Sequence, residues 1–207
     1  AGLVGSEMCI RDRAYGEDTL SRRIYTIRVK DLATGGYLKD EVEGASSGVA
    51  WQNDNQAFYY IKKDPQTLLG YQVYRHVLGT PQSSDELIYQ EDDSAYYMSL
   101  GKSKDGEQVY IFHSSTETSG VSVIDANDPK AKAEPFYPRE EGIEYSIAKL
   151  NDWYYIYTNY QAVNFRLMKV HKDQMHDRSK WQDVIAADDK TQLVDFTLFE
   201  DLSLIHI

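Results

Sequence analysis

A single cysteine, Cys9, stands among 207 residues, which excludes an internal disulfide framework. No run of about 20 apolar residues is present, so no segment reads as a membrane-spanning helix. Basic residues are outnumbered by acidic ones, 22 to 33, for a formal net charge of -11. Such a surface repels phosphates and argues against a nucleic-acid partner. Residues 1–13 lack the apolar core of a secretory signal. A sustained helical period is missing as well, and residues 171–180 reach at most a short turn.

What the chain has in quantity is aromatic strand formers. It carries 17 Tyr, and aromatics make up 13% of residues; wide flat rings pack well across a pleated face. Four short stretches repeat one design: Ile27-Arg28-Val29-Lys30-Asp31, Val73-Tyr74-Arg75-His76, Val121-Ser122-Val123-Ile124-Asp125 and Leu167-Met168-Lys169-Val170-His171. Each alternates apolar and polar residues and begins 46 to 48 residues after the last, close to the length of a β-propeller blade. Aromatic runs recur between them in the same phase: Ala57-Phe58-Tyr59-Tyr60-Ile61, Gln108-Val109-Tyr110-Ile111-Phe112 and Trp153-Tyr154-Tyr155-Ile156-Tyr157.

The expected fold is therefore all-β, a partial propeller of about four four-stranded blades. A shorter polar strand is expected over 36–42 at a blade's outer edge, and a separate inner strand over Gly48-Val49-Ala50-Trp51. Residues 96–100 read as a further inner strand, Pro135-Phe136-Tyr137 as an outer one, and 195–199 as the opening of one more blade. Trp51 and Trp153 follow the blade rhythm and are expected to pack within or between blades.

The two ends do not continue the repeat. Residues 1–13 and 203–207 resemble translated sequencing-adaptor sequence and are expected to be non-native, leaving 14–202 as the propeller. That assignment makes Cys9 an artefact.

At Lys63-Asp64-Pro65-Gln66-Thr67-Leu68-Leu69-Gly70-Tyr71-Gln72-Val73-Tyr74-Arg75-His76-Val77-Leu78-Gly79-Thr80 the chain resembles the propeller domain of the prolyl oligopeptidase family of serine peptidases, and most of all the oligopeptidase B branch. Ser21-Arg22-Arg23-Ile24-Tyr25-Thr26-Ile27-Arg28-Val29-Lys30-Asp31-Leu32, Gly48-Val49-Ala50-Trp51, and Thr158-Asn159 with Ala162 and Asn164-Phe165-Arg166-Leu167 agree in order. The resemblance covers residues 14–202 and implies a parent with a seven-bladed propeller and a C-terminal α/β-hydrolase domain carrying a Ser-Asp-His triad. It further implies a cytoplasmic enzyme that hydrolyses short peptides after Arg or Lys, with the propeller restricting access. The catalytic domain is absent from this sequence, so the chain alone is expected to be inactive, and its partners would be peptides and that domain. The competing expectation is a free-standing propeller used as a binding scaffold, since one fold hosts many functions.

Gly44-Ala45-Ser46-Ser47-Gly48 fits G-x-S-x-G, the nucleophile elbow of α/β-hydrolases. That elbow needs a helix after the serine, and here a strand and a loop follow, so no catalytic residue is assigned. His171 and His176 lack the spacing of a helical metal site, and His76 and His113 fall on strands; no metal or cofactor is expected. Carboxylates cluster at Asp85-Glu86, Glu91-Asp92-Asp93, Glu140-Glu141 and Asp188-Asp189, in loops where both members of each pair are expected to be solvated and ionised. Asn159, Asn164 and Arg166 form the most motif-like polar group. Asn suits turns and Arg can bridge blades; the functional expectation is a contact with the catalytic domain, Arg166 making an ion pair that sets domain opening.

Overall fold

Each of the four repeated segments becomes the third strand of a four-stranded antiparallel unit. The structure is a computed structural model that describes residues 2–8, 12–198 and 203–206, with side chains for 12–198; Cys9 and Phe199 lie outside the described residues. The first blade contains β1 (Gly2–Met8), β2 (Asp12–Asp18), β3 (Tyr25–Asp31) and the start of β4 (Tyr37–Trp51). The second continues from the end of β4 through β5 (Ala57–Lys63), β6 (Gly70–Val77) and β7 (Glu86–Gln90). The third holds β8 (Tyr97–Lys102), β9 (Gln108–Ser114), β10 (Ser119–Asp125) and β11 (Glu134–Pro135). The fourth holds β12 (Tyr145–Leu150), β13 (Trp153–Thr158), β14 (Arg166–His171) and β15 (Gln182–Ile185). A hairpin of β16 (Asp195–Leu198) and β17 (Ser203–His206) follows. β1 and β17 fall in the end segments read as adaptor-derived, and β2 crosses the boundary drawn at residue 13.

The outer strand expected at 36–42 and the inner strand expected at 48–51 are one element. β4 pairs with β3 as far as Ala45, opposite Tyr25, and with β5 at Ala45, opposite Lys62, and again from Val49 to Trp51. Gly44, at φ +74°, and the register shift between Ala45 and Val49 turn the strand so that it leaves one blade and enters the next without a loop. Glycine adopts that left-handed backbone at little steric cost. The first two blades thus share a covalently continuous, hydrogen-bonded strand.

Alternation along the second strand of the second and third blades explains why these strands are so aromatic. On β5, Phe58 and Tyr60 enter a core with Ile27, Val29, Val42 and Trp51, while Tyr59 and Ile61 enter another with Val73, Ile111 and Ile124. On β9, Val109 and Ile111 complete that second core, and Tyr110 and Phe112 face a third containing Phe136, Tyr145, Tyr154, Ile156 and Trp181. Successive side chains point to opposite faces, so a strand sandwiched between two blades must be apolar on both. β13 breaks the pattern: Tyr154 and Ile156 are buried, but Trp153, Tyr155 and Tyr157 are only half-buried. Phe136 and Tyr137 lie beyond β11 rather than on the expected outer strand, in the connector to the fourth blade. Helical structure among the described residues is limited to three 3-10 turns, Gln82–Ser84, Lys172–Gln174 and Arg178–Lys180, and no helix is long and apolar enough to cross a membrane.

Candidate functional site

The chemistry of this chain gathers around the boundaries between blades, where charged side chains meet in pairs, several with at least one member buried. At the first boundary His76 of β6 is fully buried. Its Nδ1 lies 2.8 Å from Asp85 Oδ1 and its Nε2 3.1 Å from Asp40 Oδ1 on β4. Asp85 also accepts the Tyr60 hydroxyl at 3.0 Å, and Asp40 accepts the Gly79 amide at 2.5 Å. Burial opposes the imidazolium, but the two carboxylates outweigh it and hold the His76 pKa above its usual value. Tyr60 is pushed up, chiefly by the same burial.

Around the third blade a second group forms. Glu91, just after β7, has a side chain only 4% exposed and takes both guanidinium arms of Arg139, at 2.7 and 3.1 Å. The Tyr89 hydroxyl and the Asp93 amide donate to the same carboxylate. Burial works against the charge of Glu91, yet these donors keep its pKa below the usual carboxylate range. His113 Nδ1 lies 3.3 Å from Glu91 Oε2 without the alignment of a hydrogen bond, while Nε2 meets Ser122 Oγ at 3.0 Å. Burial, reinforced by the charge of Arg139, lowers the His113 pKa to about 4, so this ring is neutral at physiological pH. The two strand histidines therefore carry opposite protonation tendencies: two carboxylates overcome burial at His76, whereas at His113 burial and the Arg139 charge prevail over Glu91.

Lys149 of β12 closes the next boundary. Its Nζ sits 2.6 Å from Asp105 Oδ2 and 2.5 Å from Glu107 Oε2, both in the β8–β9 turn. Burial opposes its charge, but the two carboxylates raise its pKa. Beside it opens a cleft of about 430 Å3, lined by Gln108, Asp125, Tyr154, Lys172 and Met175 among others. Arg178, on the last 3-10 turn, is clamped by Glu140 at 2.8 and 3.0 Å and packs over the rings of Tyr137 and Tyr160 at 4.2 and 4.1 Å. Such cation–ring contacts are strongest when desolvated.

These pairs correct the expectation that the loop carboxylates are solvated. Asp85 (side chain 1% exposed) and Glu91 are buried, whereas Glu86, paired with Lys132, and Glu140, which holds Arg178, stay exposed to solvent as expected. Asp188 instead caps the Lys190 amide in its own loop. A usable signal was present: Glu86–Lys132, Glu91–Arg139 and Asp105–Lys149 are opposite charges 46, 48 and 44 residues apart, about one blade repeat. Adjacent blades superpose equivalent positions, so complementary charges one repeat apart meet across the boundary.

The remaining sequence candidates stay separate. Ser46 lies inside β4 with strand on both sides, so it occupies no elbow. Asn159 caps the Glu144 amide and donates to Gly142 O; Asn164 donates to Asp188 O; Arg166 is engaged by Asp183 across β14 and β15. All three polar groups face their own blade, whereas Val163 between them is 91% exposed. His171 contacts Asp173, and His176 lies 3.1 Å from Phe136 O. Among the described residues no cluster of three or more His, Cys, Asp or Glu is placed to hold a metal ion.

Gly120 tests the packing beneath Arg139. A methyl added there would come within 2.7 Å of Arg139 Cγ, whose head group is fixed by Glu91. Gly120→Ala is expected to cost about 1–3 kcal/mol by urea unfolding. In an Arg139→Ala background the same change should be nearly neutral. Equal costs in both backgrounds would refute the clash.

The family described as prolyl oligopeptidase, N-terminal β-propeller domain, matches residues 11–207. Over 93% of its length the chain is 38% identical to dipeptidyl aminopeptidase BI of Pseudoxanthomonas mexicana and 30% identical to protease 2 of Moraxella lacunata. It covers 26% and 28% of those two proteins. Among solved structures it is similar to oligopeptidase B from Trypanosoma brucei in a closed form with covalently bound antipain, with a TM-score of 0.85, 28% identity, 99% of this chain and 28% of that one. Oligopeptidase B from Leishmania major aligns with a TM-score of 0.84 and 25% identity, over 95% of this chain and 28% of that one. The chain thus spans about a quarter of the length of these relatives.

Proposed function

Since the chain belongs to the prolyl oligopeptidase family, as its N-terminal β-propeller domain, we propose that it is the part of a serine oligopeptidase that admits and positions short peptides. Hydrolysis in the parent would then proceed by acyl-enzyme chemistry on an α/β-hydrolase domain. The carrying observation is the combination of the propeller match with coverage of only 26% to 28% of the relatives. The Ser46 geometry agrees, because the one G-x-S-x-G segment is spent inside a strand. The purified 207-residue chain is expected to release no chromophore from an Arg-linked chromogenic peptide, and Ser46→Ala is expected to leave that baseline unchanged. Turnover by the pure chain that Ser46→Ala abolishes would overturn the reading.

For the parent, cleavage after Arg or Lys is the first reading, supported by the oligopeptidase B neighbours. The 38% relative, named an aminopeptidase that removes dipeptides, supports a second. Assay of the parent on an amino-blocked Arg-linked substrate and on a dipeptide-linked substrate with a free amine separates them: cleavage of the blocked substrate supports the first, and activity on the free-amine substrate alone the second. A free-standing scaffold predicts a stop codon shortly downstream instead of an α/β-hydrolase reading frame. We place the parent in the cytoplasm.

The β13–β14 loop is our candidate for contact with the catalytic domain. Asn159 and Asn164 would act by shaping the loop and Arg166 through its pair with Asp183. An Arg166→Ala parent with unchanged opening rate and unchanged stability would remove this assignment.

A further inference from the structure

The connector between the third and fourth blades carries two adjacent charges that reach in opposite directions. Arg139 reaches back to Glu91, which leaves the second blade, and Glu140 reaches forward to Arg178 of the fourth. Both contacts are two-armed, the geometry in which a guanidinium and a carboxylate bind most directionally. Arg139 is further pinned by the Tyr96 ring 3.9 Å from its guanidinium carbon and by Gly120 beneath its stem.

The connector itself is held rigidly between these two heads. Phe136 N donates to Val121 O, Gly142 N to Thr118 Oγ1, and the Tyr145 hydroxyl to Tyr137 O. Tyr137 in turn lies under Arg178, and Phe136 stands in the core against Tyr154 and Trp181. A displacement of Arg139 therefore moves Glu140 with it.

We propose that residues 136–142 form a two-headed clasp that couples the second, third and fourth blades mechanically, so that these three open and close as one body. Loss of either ion pair loosens the connector and weakens the other pair across the third blade. The coupling requires no catalytic activity of the chain. For a propeller that opens and closes, it moves any hinge out of these three blades.

Hydrogen exchange on the full 207-residue chain tests it. Glu91→Gln touches nothing in the fourth blade, yet is expected to speed exchange of the Tyr145 and Trp181 amides by roughly 5- to 150-fold, the usual span of coupling between sites. Arg178→Gln should speed exchange at Glu91 and Asp93, and the double variant should fall short of the product of the two. Effects confined to the blades each residue touches, or strictly multiplicative effects, would overturn the clasp. Arg139→Lys keeps the charge while losing the two-armed contact, and guards against variants that fail to fold. It should give the same long-range pattern at lower amplitude, and wild-type exchange in the fourth blade would count against the proposal.

Discussion

Asp85→Ala is expected to lower the stability of the chain by about 3–5 kcal/mol, the usual cost of removing one partner from a buried ion pair. The side chain is 1% exposed and accepts from both His76 and the Tyr60 hydroxyl, so its loss leaves His76 Nδ1 and the Tyr60 hydroxyl without their acceptor in a buried site, with Asp40 alone still facing the ring. Against a total of about 5–15 kcal/mol for a typical domain, that is a large share. The pH dependence follows from His76, whose folded pKa lies above the usual 6.5. A raised folded pKa means that the stabilisation is fully present below about 6.5 and is lost as pH rises through the folded value. The difference between wild type and Asp85→Ala should therefore be widest at and below about pH 6.5 and shrink on the alkaline side. Urea midpoints across that range measure it. A loss under about 1 kcal/mol at pH 6, or a gap that widens with rising pH, would show that the buried His76–Asp85 pair does not stabilise the fold.

Phe136→Ala should cost a similar amount, about 3–5 kcal/mol, for a different reason. The ring is fully buried and stands 5.0 Å from Tyr154, 6.0 Å from Trp181 and 6.1 Å from Tyr145, so alanine leaves a cavity between two blades. Two strands and a connector meet there, and none can collapse into the space without breaking its own backbone hydrogen bonds. Phe136→Leu, which keeps most of the apolar volume, should lose much less. Equal and small effects for both substitutions, read from urea unfolding, would show that the connector is peripheral to the core.

These two residues also show where sequence reading reaches and where it stops. The period of 46 to 48 residues and the aromatic second strands located β5, β9 and β13, because alternation and repeat length depend only on order along the chain. The same logic placed Phe136 on an outer strand, when it lies past β11 and inside the core. A connector has no period to reveal which of its residues is buried. Likewise Asp85 and Glu91 sit among other acidic residues in loops, which locally reads as solvated surface.

By itself the sequence determined the unit of construction: which residues form strands, how many units recur, and which family the pattern resembles. Only the tertiary structure decided what joins the units. It fused two expected strands into β4, seated His76 between Asp40 and Asp85, and gave Glu91 to Arg139, 48 residues away. The reason is physical. Strand formation follows from neighbouring residues and their alternation, whereas burial of a charge depends on the low-dielectric space made when two blades close over it. That space comes into being only with the packed fold.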